Sequence, residues 1–292
     1  MARARWLIPL LLVASLVVAG CGGSDPASSP SARTPAELVG AAQKAVANQS
    51  SVGFDIKLGV TLKGQLQGAG AAAGLLNGPL TLDIQGHSTT KAPEKFDATF
   101  DLGFSGGSFT GEVLTPDGKT AYIQLPSLLG SGWHRVDLQN ASAGSASSGG
   151  GSSSLLSGLD AKKFLKDTTV TSSGDTDTIA ATLDIPALVS EVTQAAGTGG
   201  GAVGSSAQKA VKHAQGSMSF DKSSHLPTAF DANLGVVVPK GQGSAADGLK
   251  GVDLTIHATF DDWSKHFSVQ TPSGATPLPR NLFGSGSTLS TF

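Results

Sequence analysis

The amino-acid sequence predicts an α+β fold, built as a single strongly curved antiparallel sheet of about ten or eleven strands with a few short helices on its concave side. Apolar and polar residues alternate in most segments, which is typical of strands with one buried and one solvated face. Segments with helical periodicity are few and short. The 39 glycines and an aromatic content of 5% leave few large side chains to fill a core.

A short amphipathic helix opens the folded part of the chain. Residues 34–37, Thr-Pro-Ala-Glu, have the composition of a capping box, with proline at the first helical position. Leu38, Ala42, Ala45 and Val46 follow at the spacing of one helix face. We therefore expect this helix to pack its apolar side against the sheet.

Alternation with a period of two marks the strands. Pro-Asp-Gly-Lys at 116–119 separates two such segments and predicts a tight turn, because proline presets φ and glycine tolerates positive φ. We predict strands over residues 56–66, 80–84, 96–104, 109–113, 122–125, 133–138, 179–185, 217–221, 230–238 and 252–260, followed by a last extended piece over 267–271.

Three further helices are predicted, over residues 159–165, from 186 to 192, and over 206–215. Residues 139–154 are almost entirely Ser, Gly and Ala and form a low-complexity segment. We interpret it as a loop inside one domain, because the one-faced alternation resumes after it.

The long apolar face predicted for the sheet needs a cover. The available helices are few and rich in alanine and valine, so they line the concave side without filling it, which favours a ligand cavity. In the alternative, loops and helices pack that side into an ordinary close-packed core. The alternation alone leaves both interpretations open.

Cys21 is the single cysteine and follows a secretory signal. Arg3 and Arg5 form the positively charged n-region of the signal. Residues 6–18 form an apolar run that is too short to span a bilayer comfortably. Val-Ala-Gly at 18–20 fits a bacterial lipobox, so we predict a lipid on Cys21. The alternative is an ordinary signal-peptidase site beside a chance cysteine.

The chain then divides into four regions. We predict a signal peptide over 1–20, the lipidated cysteine with a flexible tether over 21–33, one folded domain over 34–279 and a disordered tail over 280–292. The protein would be exported and anchored to the outer face of the cytoplasmic membrane.

Charge and cysteine content exclude several classes of protein. Without the signal, the 20 basic residues fall to 18 against 22 acidic ones, a formal net charge of −4 that does not suit nucleic-acid binding. A single cysteine allows neither an internal disulfide nor a cysteine-rich metal site.

Catalytic constellations are sparse. Ser206-Ala-Gln-Lys209 matches Ser-x-x-Lys, but no Ser-Asp-Asn or Lys-Thr-Gly follows, and a solvated helix face explains the pattern. The six histidines, at positions 87, 134, 213, 225, 257 and 266, are never two or four residues apart, so no local metal motif exists. We predict that the protein is not an enzyme and needs no cofactor or metal.

Two sets of residues keep an alternative open. Asp261 with Asp262, and Asp175 with Asp177, are candidate carboxylate pairs for glycoside chemistry, although loop aspartates are far commoner. Trp133 and the tryptophan at 263 are interpreted as plugs at sheet ends, with sugar or headgroup stacking as the alternative.

Several short motifs occur in a characteristic order after the lipobox and first helix. They are Gly-Trp-x-x-Val-Asp at 132–137, Leu-Asp-x-x-Lys-Phe-Leu at 159–165, Asp-Lys-x-x-His-Leu-Pro at 221–227, Phe-x-Asp-Trp at 260–263 and Pro-x-Gly-Ala-x-Pro at 272–277, near the end of the domain. In this order the chain resembles the actinobacterial LppX/LprG type of cell-envelope lipoproteins, which are similar in fold to the LolA and LolB lipoprotein carriers.

The resemblance covers roughly residues 34–279 and implies a half-barrel sheet closed by helices around an apolar pocket for acyl chains of lipids or glycolipids. The chain departs from that family in a Gly/Ala insertion at Gly68–Gly78, in the loop at 139–154 and in a glycine-rich stretch at 197–205. These departures leave the pocket mouth and the ligand open. The insertion is either a flap that gates the pocket or a long hairpin loop.

The leading hypothesis is a lipid-binding or lipid-transferring envelope lipoprotein, monomeric and in contact with the membrane through Cys21. A membrane transporter that loads it, or a role as lipid sensor, is an open alternative, as are a structural or interaction lipoprotein with a filled core and, less favoured, a hydrolase. The candidate pocket-lining residues are the inward positions Leu38, Val46, Leu58, Val60, Leu82, Phe100, Leu102, Ile123, Leu183, Leu234 and Ile256.

Overall fold

The computed structural model describes residues 33–64, 78–91, 93, 95–138, 165–184, 211–237 and 249–279. These residues contain two helices, α1 (Pro35–Ala47) and α2 (Pro126–Leu129). They also contain twelve strands: β1 (Ser51–Gly64), β2 (Leu80–Thr89), β3 (Phe96–Phe104), β4 (Gly107–Thr115), β5 (Thr120–Leu125), β6 (Gly130–Asp137), β7 (Leu165–Ser173), β8 (Thr176–Leu183), β9 (Val211–Asp221), β10 (Pro227–Val237), β11 (Leu249–Asp261) and β12 (Thr276–Pro277).

The strands are hydrogen-bonded in the order β12-β6-β5-β4-β3-β2-β1-β11-β10-β9-β8-β7, which has two ends and is not closed. The registers from β2 to β6 and from β7 to β10 are antiparallel, and the two-residue β12 runs parallel to β6. The predicted sheet is thus confirmed as one large sheet, mixed rather than purely antiparallel. Its strong curvature stays a prediction.

The chain divides into two compact units. Unit 1 comprises Met1–Asn48, Val60–Ala73 and Gly150–His257, and unit 2 comprises Gln49–Gly59, Gly74–Gly149 and Ala258–Phe292. Among the described elements, α1 and β7–β10 belong to unit 1, whereas β2–β6, α2 and β12 belong to unit 2. Strands β1 and β11 contribute residues to both.

Helix α1 begins at the predicted capping box. The Thr34 hydroxyl accepts a hydrogen bond from the backbone N–H of Glu37 at 3.3 Å, and the Glu37 carboxylate accepts one from the backbone N–H of Thr34 at 2.7 Å. Two N–H groups at the helix start are thereby satisfied. The bond from the Thr34 backbone N–H, together with one that the Thr34 hydroxyl donates to the same carboxylate at 2.9 Å, lowers the pKa of Glu37 below its ordinary value.

The apolar side of α1 forms the core of unit 1. Leu38 and Ala42 pack with Ile179 of β8 and with Met218 and Phe220 of β9, and Leu38 and Phe220 are only 2% and 1% exposed. The register places Ile179 directly opposite Met218, so these strand side chains share one face. Partly buried Val39, Val170 and Phe230 pack around this cluster.

An ion-pair cluster holds Arg33, two residues before α1, to the sheet of unit 1. The carboxylate of Asp177, a residue that is 5% exposed, lies 3.7 Å from Arg33 and 4.0 Å from Lys222, and it accepts a hydrogen bond from the Ser172 hydroxyl. Arg33 also lies 3.1 Å from His225 Nδ1. A buried carboxylate is tolerated here because two cations and a hydroxyl compensate its lost hydration.

The turn between β4 and β5 in unit 2 has the predicted chemistry. The Asp117 carboxylate accepts hydrogen bonds from the backbone N–H groups of Lys119 and Thr120, each at 2.8 Å, and Gly118 has a φ of 69°. These two bonds lower the pKa of Asp117. Only glycine takes such a φ without strain, so the residues at this turn fix the register of the hairpin.

One predicted helix is wrong in its described part. Residues 211–215, predicted as the end of a helix, begin strand β9, where Ala214 pairs with Leu234 and is buried. Pairing with β10 outweighs the helix propensity of this alanine-bearing stretch. Residues 267–271, predicted as an extended piece, have no ladder pairing, and β12 follows them.

Strand β7 and helix α2 were not predicted. Leu165 begins β7, although the sequence places it at the end of a helix over 159–165. The rest of that helix, the helix from 186 to 192, residues 206–210 and residues 68–77 of the insertion lie outside the described residues.

Candidate functional site

One face of β2–β6 in unit 2 carries the apolar side chains of these strands. The registers place Leu82 opposite Leu102, Ile84 opposite Phe100, and Val113 between Ala98 and Ile123. Because side chains at paired positions point to the same side of a sheet, the strands present one continuous set. We call this set the apolar face: Leu82, Ile84, Ala98, Phe100, Leu102, Phe109, Val113 and Ile123.

The large side chains of the apolar face are incompletely buried. Leu82, Phe100, Leu102 and Ile123 are all partly exposed. Among the described apolar residues of unit 2, the fully buried ones are the small residues Ala98, Ala121 and Ala258. The apolar face therefore retains surface that another apolar group can cover.

Glycine shapes the middle of the apolar face. The Phe100 ring lies across Gly111 of the neighbouring strand, where a Cβ atom would come 2.4 Å from Phe100 Cζ. Only glycine leaves room for the ring there. At one end of the face Phe104 and Phe109 contact each other with ring centroids 5.0 Å apart.

The structure brings together four of the predicted pocket-lining residues, Leu82, Phe100, Leu102 and Ile123, on the apolar face. Leu58, also in unit 2, is partly exposed on β1.

The remaining predicted lining residues belong to unit 1. Leu38 is a fully buried core residue and not part of an open surface. The others are partly exposed on α1, β1, β8, β10 and β11, namely Val46, Val60, Leu183, Leu234 and Ile256. Cys21 lies outside the described residues.

His134 lies on the apolar face, directly opposite Ile123. Its Nδ1 is 3.2 Å from the Thr276 hydroxyl on β12, which pairs with β6 at this position. Its Nε2 has under 1 Å² of exposed surface and no hydrogen-bond partner. Leaving such an atom unsatisfied costs about 1–3 kcal/mol. Sequence reasoning missed this residue, although its alternation with Val136 would have placed it inward.

The opposite, polar face of β2–β5 contains a groove of about 460 Å³. Two cross-strand rows of polar side chains line it, together with Phe100, Gly111 and Pro126: Asp83, Asp101 and Thr110, and Gln85, Thr99, Glu112 and Gln124. Three carboxylates make this groove unsuited to an acyl chain. The described cavity and the apolar face thus lie on opposite sides of the same strands.

One member of each candidate carboxylate pair takes part in ion pairs. Asp177 is held in the cluster with Arg33, and the Asp262 carboxylate contacts the Lys265 ammonium. His87 lies between Asp97, 3.2 Å from its Nδ1, and Asp262, 3.9 Å from its Nε2. These contacts link β2, β3 and the turn after β11. Ser206 lies outside the described residues.

The carboxyl of Asp221, at the end of β9, has a strongly lowered pKa. Hydrogen bonds from the Ser223 hydroxyl and from the hydroxyl and backbone N–H of Ser224 lower its pKa from 3.8 to about 2. The carboxylate organises the turn between β9 and β10, where His225 has a φ of 60°. Its role is that of an Asx turn.

Within the described ranges, no group of three or more His, Cys, Asp or Glu side chains is arranged to hold a metal ion. Among the described helices, neither α1 nor α2 has the length and apolar character needed to cross a bilayer.

No protein-family model and no characterised protein matches the chain. Several solved structures are similar to it, including the following two. One is a putative outer membrane lipoprotein-sorting protein domain from Vibrio parahaemolyticus, at 12% identity over 79% of this chain and 91% of that chain, with a TM-score of 0.24.

The other is a beta-barrel-like protein of the domain of unknown function DUF1849 from Brucella abortus, at 10% identity over 76% of this chain and 99% of that chain, with a TM-score of 0.17. Both scores are well below 0.5, so neither match carries an argument about function. The resemblance to the LppX/LprG lipoproteins stays a prediction.

Proposed function

We propose that the protein is a non-enzymatic envelope lipoprotein that binds acyl chains of lipids or glycolipids and transfers them at the membrane. The observation that supports this most is the apolar face. Its large side chains are partly exposed, and among the described residues of unit 2 the buried apolar side chains are those of alanines. An extended, incompletely buried apolar surface is typical of a binding site.

The driving force would be burial of the acyl chain against the apolar face. Each CH₂ group removed from water contributes about 0.8 kcal/mol. The predicted anchor at Cys21 would suit the same function, because a flexible tether over residues 22–33 would reach only about 20 Å r.m.s. and would hold the binding face near the bilayer.

Lipid that co-purifies with the protein tests the proposal. The full-length chain carrying Cys21→Ala is exported without the anchor, washed, and extracted with organic solvent for mass spectrometry. We expect acyl lipid in stoichiometric amount. Leu102→Trp, which fills space on the apolar face, should reduce the bound lipid several-fold.

Asp101→Asn is the matched control, because Asp101 neighbours Leu102 in β3 and points to the polar groove. It should retain lipid at the wild-type amount. Circular dichroism establishes that both variants are folded. A wild-type protein free of lipid would contradict the proposal.

The second candidate function is a structural or interaction lipoprotein with a filled core. The closed cluster of unit 1 favours it, since Leu38 and Phe220 are almost fully buried beneath α1. In that case Leu102→Trp leaves the extract unchanged, because neither protein carries lipid.

A further inference from the structure

We infer that His134 is a polar contact for the head of the bound lipid, donating to or accepting from an oxygen atom at the junction of acyl chain and headgroup. The inference depends on the proposed function and names a residue that determines ligand specificity. It starts from a polar atom that the fold buries without a partner.

His134 is the polar member of an otherwise apolar row. The registers run from Ala98 through Val113 and Ile123 to His134, each directly opposite the next across β3, β4, β5 and β6. An acyl chain lying along this row would meet only apolar side chains until its head reached β6.

The imidazole is already oriented for such a contact. Thr276 lies 3.2 Å from Nδ1 and is fixed there by the parallel pairing of β12 with β6. With Nδ1 engaged, Nε2 is the nitrogen left for a ligand. It has no partner and under 1 Å² exposed, so neighbouring side chains must move aside before a ligand oxygen reaches it. Buried polar groups in folded proteins are normally hydrogen-bonded, so an unpaired one points to a missing partner.

The chemical class of that partner follows from the imidazole. If the Thr276 hydroxyl donates to Nδ1, Nε2 carries the proton and binds a carboxylate, ester or hydroxyl oxygen; in the other tautomer, Nε2 accepts from a hydroxyl or carboxylic acid. In both cases the ligand supplies an oxygen, which a free fatty acid and a glycerolipid or glycolipid each possess.

The experiment measures binding of two probes to the full-length Cys21→Ala protein. They are hexadecanoic acid carrying a fluorophore at its methyl end, and a hexadecyl chain with the same fluorophore and no oxygen head. We expect wild-type protein to bind the acid roughly tenfold more tightly than the headless chain, a factor that corresponds to about 1.4 kcal/mol. The methyl ester of the acid distinguishes an acid-specific contact from one that an esterified lipid also makes.

Two variants locate the contact. His134→Phe keeps an aromatic ring without nitrogen and should remove the preference for the acid, with little change in affinity for the headless chain. His134→Gln restores an amide near the position of Nε2 and should recover most of the preference. His257→Phe, at an exposed histidine that contacts Asp231, is the control and should behave as wild type.

The outcomes separate the inference from the proposed function. If wild-type protein binds none of the probes, the proposed function fails and the inference fails with it. Should the wild type bind both chains equally, or His134→Phe keep the preference, lipid binding stands and the role of His134 is overturned. The comparison of probes on wild-type protein decides the matter even where a variant does not fold.

Discussion

The two units differ in how the apolar face of their strands is covered. Each has antiparallel strands with one apolar face, but in unit 1 helix α1 covers that face and buries Leu38 and Phe220 almost completely. In unit 2 the described buried apolar residues are the alanines at 98, 121 and 258, and the large side chains stay partly exposed. The difference separates a face used for stability from a face that a ligand can use.

Burial of large side chains is the main source of stability, so the two apolar faces should respond differently to truncation. Phe220→Ala should destabilise the protein by about 3–5 kcal/mol, because it leaves a cavity beneath α1. Phe100→Ala, on the partly exposed face of unit 2, should cost only about 1–2 kcal/mol. Chemical denaturation followed by circular dichroism measures both.

The ratio of these two losses matters more than either value. Equal losses would mean that the face of unit 2 is as closed as the core of unit 1, which would remove the main support for lipid binding. A gain in the stability of Phe100→Ala protein on adding lipid would be inconsistent with a filled core.

Removing one carboxylate from each unit should also change stability differently, with smaller effects than the truncations above. Asp177→Ala in unit 1 should cost about 2 kcal/mol, since it leaves Arg33 and Lys222 without their buried partner. Asp83→Ala in unit 2 should be neutral or slightly stabilising, because Asp83 lies directly opposite another carboxylate, Asp101.

Thermal unfolding in dilute buffer measures the stability of the Asp177→Ala and Asp83→Ala variants. Added salt should narrow the difference between their melting temperatures, because it screens the charges. A loss on Asp83→Ala as large as that on Asp177→Ala would indicate that the polar groove carries a stabilising contact of its own.

The alternating pattern predicts most of the sheet because each strand needs only local information. The capping box at Thr34 and the turn at Asp117 are likewise local, and both are confirmed. Strand β7 was missed because it lies at one end of the strand order, and its sequence, Leu-Lys-Asp-Thr-Thr-Val-Thr-Ser-Ser, carries few apolar residues. The helix predicted at residues 211–215 is wrong for another reason, because pairing with β10 determines the conformation of these residues.

The candidate site was predictable only in part. Alternation identifies Leu82, Phe100, Leu102 and Ile123 as inward residues, and the registers place them together. It does not reveal that Leu38 is enclosed, because burial depends on which strands α1 covers. Alternation also does not show that Nε2 of His134 lacks a hydrogen-bond partner, because that depends on the fold, in which Thr276 lies beside the other ring nitrogen.

Helix α1 of unit 1 has a side-chain cap at its start, whereas helix α2 of unit 2 has none. Thr34→Ala should cost about 1 kcal/mol by removing the hydroxyl that accepts from Glu37. In α2 the residue before the helix, Leu125, makes no side-chain capping bond, and the exposed Ser127→Ala should change stability by less than about 0.5 kcal/mol. Thermal unfolding of the two variants at neutral pH provides the measurement. An equal response would show that α1 is held by packing alone.

The smallest effect concerns the two aspartate turns, one in each unit, and it depends on pH. The pKa of Asp221 is lowered to about 2 by bonds from Ser223 and Ser224, and that of Asp117 is lowered by two backbone N–H groups. A lowered folded-state pKa means that the ionised carboxylate stabilises the fold fully above its ordinary value of 3.8, and that this contribution is lost as the pH falls toward 2.

Asp221→Asn should therefore lower the melting temperature at pH 7, and its difference from wild type should shrink steadily between pH 4 and about 2. Asp117→Asn should show the same sign with a smaller amplitude, because its carboxylate lacks the two strong hydroxyl bonds that Asp221 receives. A difference that persists unchanged at pH 2 would mean that the Asp221 turn depends on side-chain geometry rather than on charge.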